Sequence, residues 1–161
     1  MFRPLKLSAL ALAAAISLAP AAYAAGEYNV SNGLTLAGNP LGIHGADPVA
    51  FLNSGAAVDG PAEFEHVHDG VEYYFNSAGT RDTFAAAPDS FLPQNGGFCT
   101  LGISVRKKLD GDTRYADVVD GKLYLFVNAQ VFAAYQKDKA GTISKAAEVW
   151  EEIRSTPIEE L

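Results

Sequence analysis

Thiols are almost missing from this chain: Cys99 is the single cysteine among 161 residues. An internal disulfide is therefore excluded. Positive charge is scarce too, with 12 Lys and Arg against 19 Asp and Glu and a formal charge of −7. Arg106-Lys107-Lys108 is the one basic run, and beside Asp110 and Asp112 it reads as a solvated loop. An acidic chain without a basic patch is ill suited to nucleic acid or to an anionic membrane surface. Long apolar runs are confined to the first residues. The apolar share, 48 %, is still ample for a core, which sets aside a disordered chain.

What is present at the start reads as an export signal. Arg3 and Lys6 charge the first residues, Leu7 to Leu18 is apolar apart from Ser8 and Ser17, and Ala22-Tyr23-Ala24 has the small-residue cleavage pattern. That apolar run falls short of the ~20 residues a membrane span needs. No cysteine follows it to carry a lipid anchor. Cleavage near Ala24 predicts a periplasmic or secreted chain without a membrane span. Removing 24 of 161 residues leaves 137, one domain's worth, and without Arg3 and Lys6 the formal charge becomes −9.

Export makes the lone thiol notable, because an oxidising compartment disfavours exposed thiols without a task. Cys99 follows Pro93-Gln94-Asn95-Gly96-Gly97-Phe98. Paired glycines permit φ > 0 and the close approach of another group. A helix starting at Phe98 or Cys99 would put the sulfur in its first turn, where unpaired N–H groups favour a thiolate. A free cysteine is equally well accommodated as a small buried hydrophobe.

Residues 25–40 are polar and glycine-rich, an extended lead-in. Asp47-Pro48-Val49-Ala50-Phe51-Leu52-Asn53-Ser54-Gly55 then carries full helix punctuation, with Asp47 as N-cap, Pro48 in the first turn and Gly55 at the end. Glu63 to Asn76 reads as a hairpin around the two-residue turn Asp69-Gly70. The turn length pairs His68 with Val71, His66 with Tyr73 and Phe64 with Phe75. Alternation places these six on one, inward face. His66 and His68 thus form an H-x-H pair on one side of a strand, a spacing that suits a metal.

Ser77 is placed to cap a helix over residues 78–87, buried through Phe84 and stopped by Pro88. The order then recurs. Residues 115–127 make a second hairpin around Asp120-Gly121, and Asn128 caps a helix reaching Tyr135. Both units share D-G-x-x-Y-x-F followed by F-A-A, at Phe84-Ala85-Ala86 and Phe132-Ala133-Ala134. Residues 144–154 form a last amphipathic helix meeting the core through Ala147, Trp150 and Ile153, and residues 155–161 are a loose tail. The predicted class is α+β, a small antiparallel sheet of two β-hairpins, each followed by a helix, plus a C-terminal helix.

One series of residues has a familiar order. His44-Gly45-Ala46-Asp47-Pro48-Val49-Ala50-Phe51, Tyr74-Phe75-Asn76-Ser77, Arg81-Asp82, Phe84, Pro88, Phe91, Pro93-Gln94, Gly96-Gly97-Phe98-Cys99 and Asp120-Gly121-Lys122-Leu123-Tyr124-Leu125 together resemble the exported YHS-domain proteins. The resemblance runs from about Leu41 to Ile153. It implies a compact domain of the bacterial envelope for which metal binding has been put forward. Short metal-binding relatives carry cysteines where this chain has Asn76 and Thr80, so only the thiol of Cys99 transfers.

Three functions are compatible with the sequence. The first is handling of a soft or borderline ion, Cu(I) or Zn(II), by Cys99 with one or more of His44, His66 and His68. The second is a structural or binding module for a small ligand or an envelope protein, with Cys99 buried. The third is a thiol enzyme using Cys99 as nucleophile and the Gly-Gly turn as an oxyanion site. All three turn on the company Cys99 keeps.

Overall fold

A computed structural model describes residues 27–161. The predicted signal, Met1 to Ala24, and its cleavage site lie outside the described residues. Among the described residues no helix is long and apolar enough to cross a membrane.

The α+β class holds. Helix α1 spans Pro48–Ser54, with Asp47 accepting from the N–H groups of Val49 and Ala50 and Gly55 left-handed at the end. Strands β1 (Glu65–His68) and β2 (Val71–Tyr74) pair antiparallel in the register set by the turn, His68 opposite Val71 and His66 opposite Tyr73. Asp69 and Gly70 both have positive φ, 49° and 76°, the conformation that keeps a two-residue turn in step with strand twist. Helix α2 (Ala78–Ala86) is capped by Ser77, and the five-residue α3 spans Thr100–Ser104. Strands β3 (Asp112–Val119) and β4 (Lys122–Phe126) turn through Asp120 and Gly121 with the same pair of left-handed residues. Helix α4 (Ala129–Tyr135) starts from an Asn128 cap, and α5 spans Lys139–Ile153.

The repeat is real, but its hairpins do not merge. They form two separate two-stranded sheets. Each hairpin is flanked by a single backbone bridge to a loop, Leu41 to Glu72 on the first and Cys99 to Leu125 on the second. Phe84 is the hub of the first unit, with Tyr73 and Phe75 ring centroids each 5.1 Å away. In the second unit Phe126 packs on Tyr135 at 4.2 Å and on Phe132 at 5.3 Å.

Three expectations change. Helix α5 begins at Lys139 rather than near residue 144, because Asp138 accepts from the Gly141 N–H and caps a turn whose glycine reads as a breaker. Its buried residues are Ala146, Val149 and Ile153, with Trp150 half-buried and Ala147 exposed. Lys108 is not a solvated loop residue. It is 6 % exposed, donates to the carbonyls of Arg154 and Thr156, and sits over the rings of Phe98 and Trp150. Those carbonyls at the end of α5 would otherwise lack intrahelical partners, so a buried ammonium is accommodated there. The last residues are also engaged: 158–160 form a 3₁₀ turn and Leu161 packs against the Phe98–Val149 cluster.

The lead-in is docked rather than simply extended. Thr35 and Asn39 donate to the buried Glu72 carboxylate at 2.6 and 3.2 Å. Burial pushes that carboxyl up, but hydrogen bonds from Thr35, Asn39, Glu65 and Tyr74 outweigh it and hold it below its usual range.

Buried phenols give the fold an alkaline limit. Burial raises Tyr73 and Tyr135 far above the ordinary tyrosine value, Tyr135 also through its bond to Asp117. Above pH of about 10 the unfolded chain releases phenolic protons that the folded chain retains, so stability falls as pH rises. Ionisation of Tyr73 and Tyr135 is expected only with unfolding, as a rise in tyrosinate absorbance that coincides with loss of the fold.

Candidate functional site

The Gly-Gly stretch is a seat for the lead-in. Asn95, Gly96 and Gly97 are successive left-handed residues, with φ of 55°, 62° and 82°. Asn95 tolerates this and donates to Thr100 Oγ1 at 3.2 Å. A side chain at Gly96 would put its Cβ 1.9 Å from the Glu27 carbonyl oxygen. Asn29 closes the contact, its backbone N–H donating to the Gly96 carbonyl at 2.8 Å and its Nδ2 to the Gly97 carbonyl at 3.2 Å. The close approach predicted for this pair is made by the chain's own backbone.

Cys99 follows as the N-cap of α3, its Sγ accepting from the Gly102 N–H at 3.4 Å. It is 0 % exposed and clusters with Tyr124, Phe126 and Tyr135, ringed by half-buried side chains including Leu101, Val127 and Phe132. Burial raises the thiol, and the backbone N–H groups of Gly102, Val127 and Leu101 pull it down by less. The net direction is upward, which favours the neutral thiol over the thiolate expected from a helix start. The physical reason is desolvation: a five-residue helix offers a weak field, and a charge taken out of water loses more than it gains.

The histidines lie elsewhere. Among the described residues none hydrogen-bonds the Cys99 sulfur. His66 and His68 stand edge-on to Phe84, with centroids 5.8 and 6.1 Å away. They face inward as the register predicted. The buried Nε2 of His68 has no hydrogen-bond partner, with Asp69 and Asp89 carboxylate oxygens at 3.6 and 3.8 Å. No group of three or more His, Cys, Asp or Glu among the described residues is placed to hold a metal ion. Of the four candidate ligands, His66 and His68 share β1 beside Phe84, Cys99 caps α3 and His44 lies in the turn at residues 43–45.

His44 has a setting of its own. Ile43 and His44 both have positive φ, 50° and 52°. A β-branched, buried residue adopts that conformation only when its surroundings enforce it. The His44 ring is held at both nitrogens, Nε2 against Asp110 Oδ1 at 2.8 Å and Nδ1 against Ser31 Oγ at 3.2 Å. Asn29 Nδ2 donates to the same Asp110 oxygen at 2.7 Å. A carboxylate only accepts, so a neutral His44 carries its proton on Nε2 and offers the Nδ1 lone pair to the Ser31 hydroxyl.

This hydrogen-bonded chain borders two hollows. One, of about 380 Å³, is lined by Ser31, Asn32, Phe98, Lys108 and Ile158 among others. The second, of about 220 Å³, is lined by Asp112, Thr113 and Arg114. His44 and Asp110 belong to both walls. Polar groups around a half-open hollow suit a small polar ligand. Sequence spacing gave no hint of this: Ser31 is 13 residues before His44, and Asp110 is 66 after it.

No family model, curated protein or solved structure matches this chain. The comparisons add nothing to the resemblance drawn from the motif residues. Two of those motifs have a structural task here, Asp47-Pro48 starting α1 and Gly96-Gly97 seating the lead-in.

Proposed function

We propose that this chain is an exported YHS-type domain acting as a binding module of the cell envelope, with Cys99 a structural cap. The observation that carries this is the position of the thiol, fully buried among Tyr124, Phe126 and Tyr135 and bonded to the Gly102 N–H. A Cu(I) or Zn(II) ligand must be a thiolate with further donors at bonding distance, and so must break that cap and admit charge into an aromatic cluster. A thiol nucleophile faces the same desolvation, and among the described residues no histidine hydrogen-bonds its sulfur. A surface suited to recognition is the polar hollow at His44 and Asp110, which fits a small polar ligand.

Titration of the mature protein with Cu(I) and with Zn(II), each under a competing chelator, tests this. Wild type, Cys99→Ala and His66→Ala/His68→Ala are expected to give the same weak competition. A tight one-to-one site lost in Cys99→Ala would overturn the structural role and restore metal handling by Cys99. Export has its own check: the intact mass of protein recovered from the periplasm should correspond to a chain beginning at Ala25.

A further inference from the structure

We propose that Ser31 is a reactive serine that accepts an acyl group from an activated ester, with His44 as its base. This goes beyond the binding role and does not involve Cys99. The Ser31 hydroxyl lies 3.2 Å from His44 Nδ1, and the opposite ring nitrogen is held by Asp110 at 2.8 Å. A hydroxyl beside a base that is itself oriented by a carboxylate is the arrangement nucleophilic catalysis requires. The ring has little freedom to leave it. Its backbone lies in the left-handed region, and Asn29 donates to the same Asp110 oxygen that His44 contacts.

The step balances without an oxidant or a metal. Ser31 Oγ attacks the ester carbonyl carbon while its proton passes to Nδ1. The imidazolium so formed is paired through its Nε2–H with Asp110. Collapse of the tetrahedral adduct breaks the bond to the leaving alcohol, which departs with the proton from Nδ1. The serine keeps the acyl group, and the hollow of about 380 Å³ has room for a short acyl chain beside Val30 and Ile158.

The same hydrogen bonds also fasten the lead-in to the domain, so a clasp and a nucleophile have to be separated by reactivity. The probe is p-nitrophenyl acetate, with acetylated peptides quantified by mass after digestion. Wild type is expected to carry one acetyl group on Ser31, formed far faster than on the exposed Ser54 and Ser144. In His44→Gln the rate should fall by about 100-fold or more, the usual worth of a general base. Asp110→Asn serves as second variant and should slow acetylation while leaving Ser31 in place. Acetylation of Ser31 no faster than at Ser54, or an unchanged rate in His44→Gln, would reduce these bonds to a clasp. Neither result bears on Cys99.

Discussion

Replacing Asp47 by alanine is expected to cost about 3–5 kcal/mol, the largest loss from any one polar side chain here. Asp47 is 0 % exposed, and its carboxylate receives three backbone N–H groups, from Val49 and Ala50 through Oδ1 and from Asn76 through Oδ2, each at 2.9 Å. The first two start α1. The third ties that helix to the end of the first hairpin. An N-cap alone is worth about 0.5–2 kcal/mol, and each buried donor left without a partner adds about 1–3 kcal/mol. Asp47→Asn should lose about half as much, because an amide keeps one accepting oxygen but turns N–H groups toward Asn76. Urea unfolding monitored by circular dichroism gives the numbers. A loss below about 1 kcal/mol for the alanine variant would mean that the three bonds are readily replaced by solvent.

Gly96→Ala should be the most damaging glycine substitution in the Cys99 segment, at about 2–4 kcal/mol. Gly55 is the comparison. Its φ of 72° is similar to the 62° of Gly96, but a Cβ there meets nothing within 4 Å. Gly55→Ala therefore measures left-handed strain alone, about 1–2 kcal/mol. At Gly96 the added carbon collides with the Glu27 carbonyl, so the lead-in has to lift. Lifting breaks the Asn29 bonds to Gly96, Gly97 and Asp110 together. Hydrogen exchange at the Asn29 amide should accelerate sharply in Gly96→Ala and stay unchanged in Gly55→Ala. Equal losses at the two sites would show that residues 27–29 contribute little to stability.

The elements legible in the sequence are those whose signals are local. Both Asp-Gly turns, the register of the first hairpin, the caps at Asp47, Ser77 and Asn128, and the duplicated hairpin-helix unit are set by residues within a few positions of one another. What escaped depends on contacts between distant segments. Lys108 reads as a loop charge until the end of α5 brings the Arg154 and Thr156 carbonyls to it. Ala147, Trp150 and Ile153 fit a helical stripe as well as Ala146, Val149 and Ile153 do, and only packing against Phe98 and Ile103 selects the second set. Cys99 sits at a helix start as expected, yet its protonation follows the aromatic side chains of β4 and α4. No pattern in residues 93–105 reveals those neighbours. Ser31, His44 and Asp110 meet only because the lead-in folds back across the Gly96–Gly97 seat.

The most direct check is the rate at which iodoacetamide alkylates Cys99, in native buffer and through a urea series, across pH. A capped, buried thiol should react in the native state at least about 1,000-fold more slowly than in the unfolded chain, with a rate that climbs in step with unfolding. Native alkylation as fast as in urea, or titrating below neutral pH, would mean that Cys99 is an exposed thiolate and that its structural role is wrong.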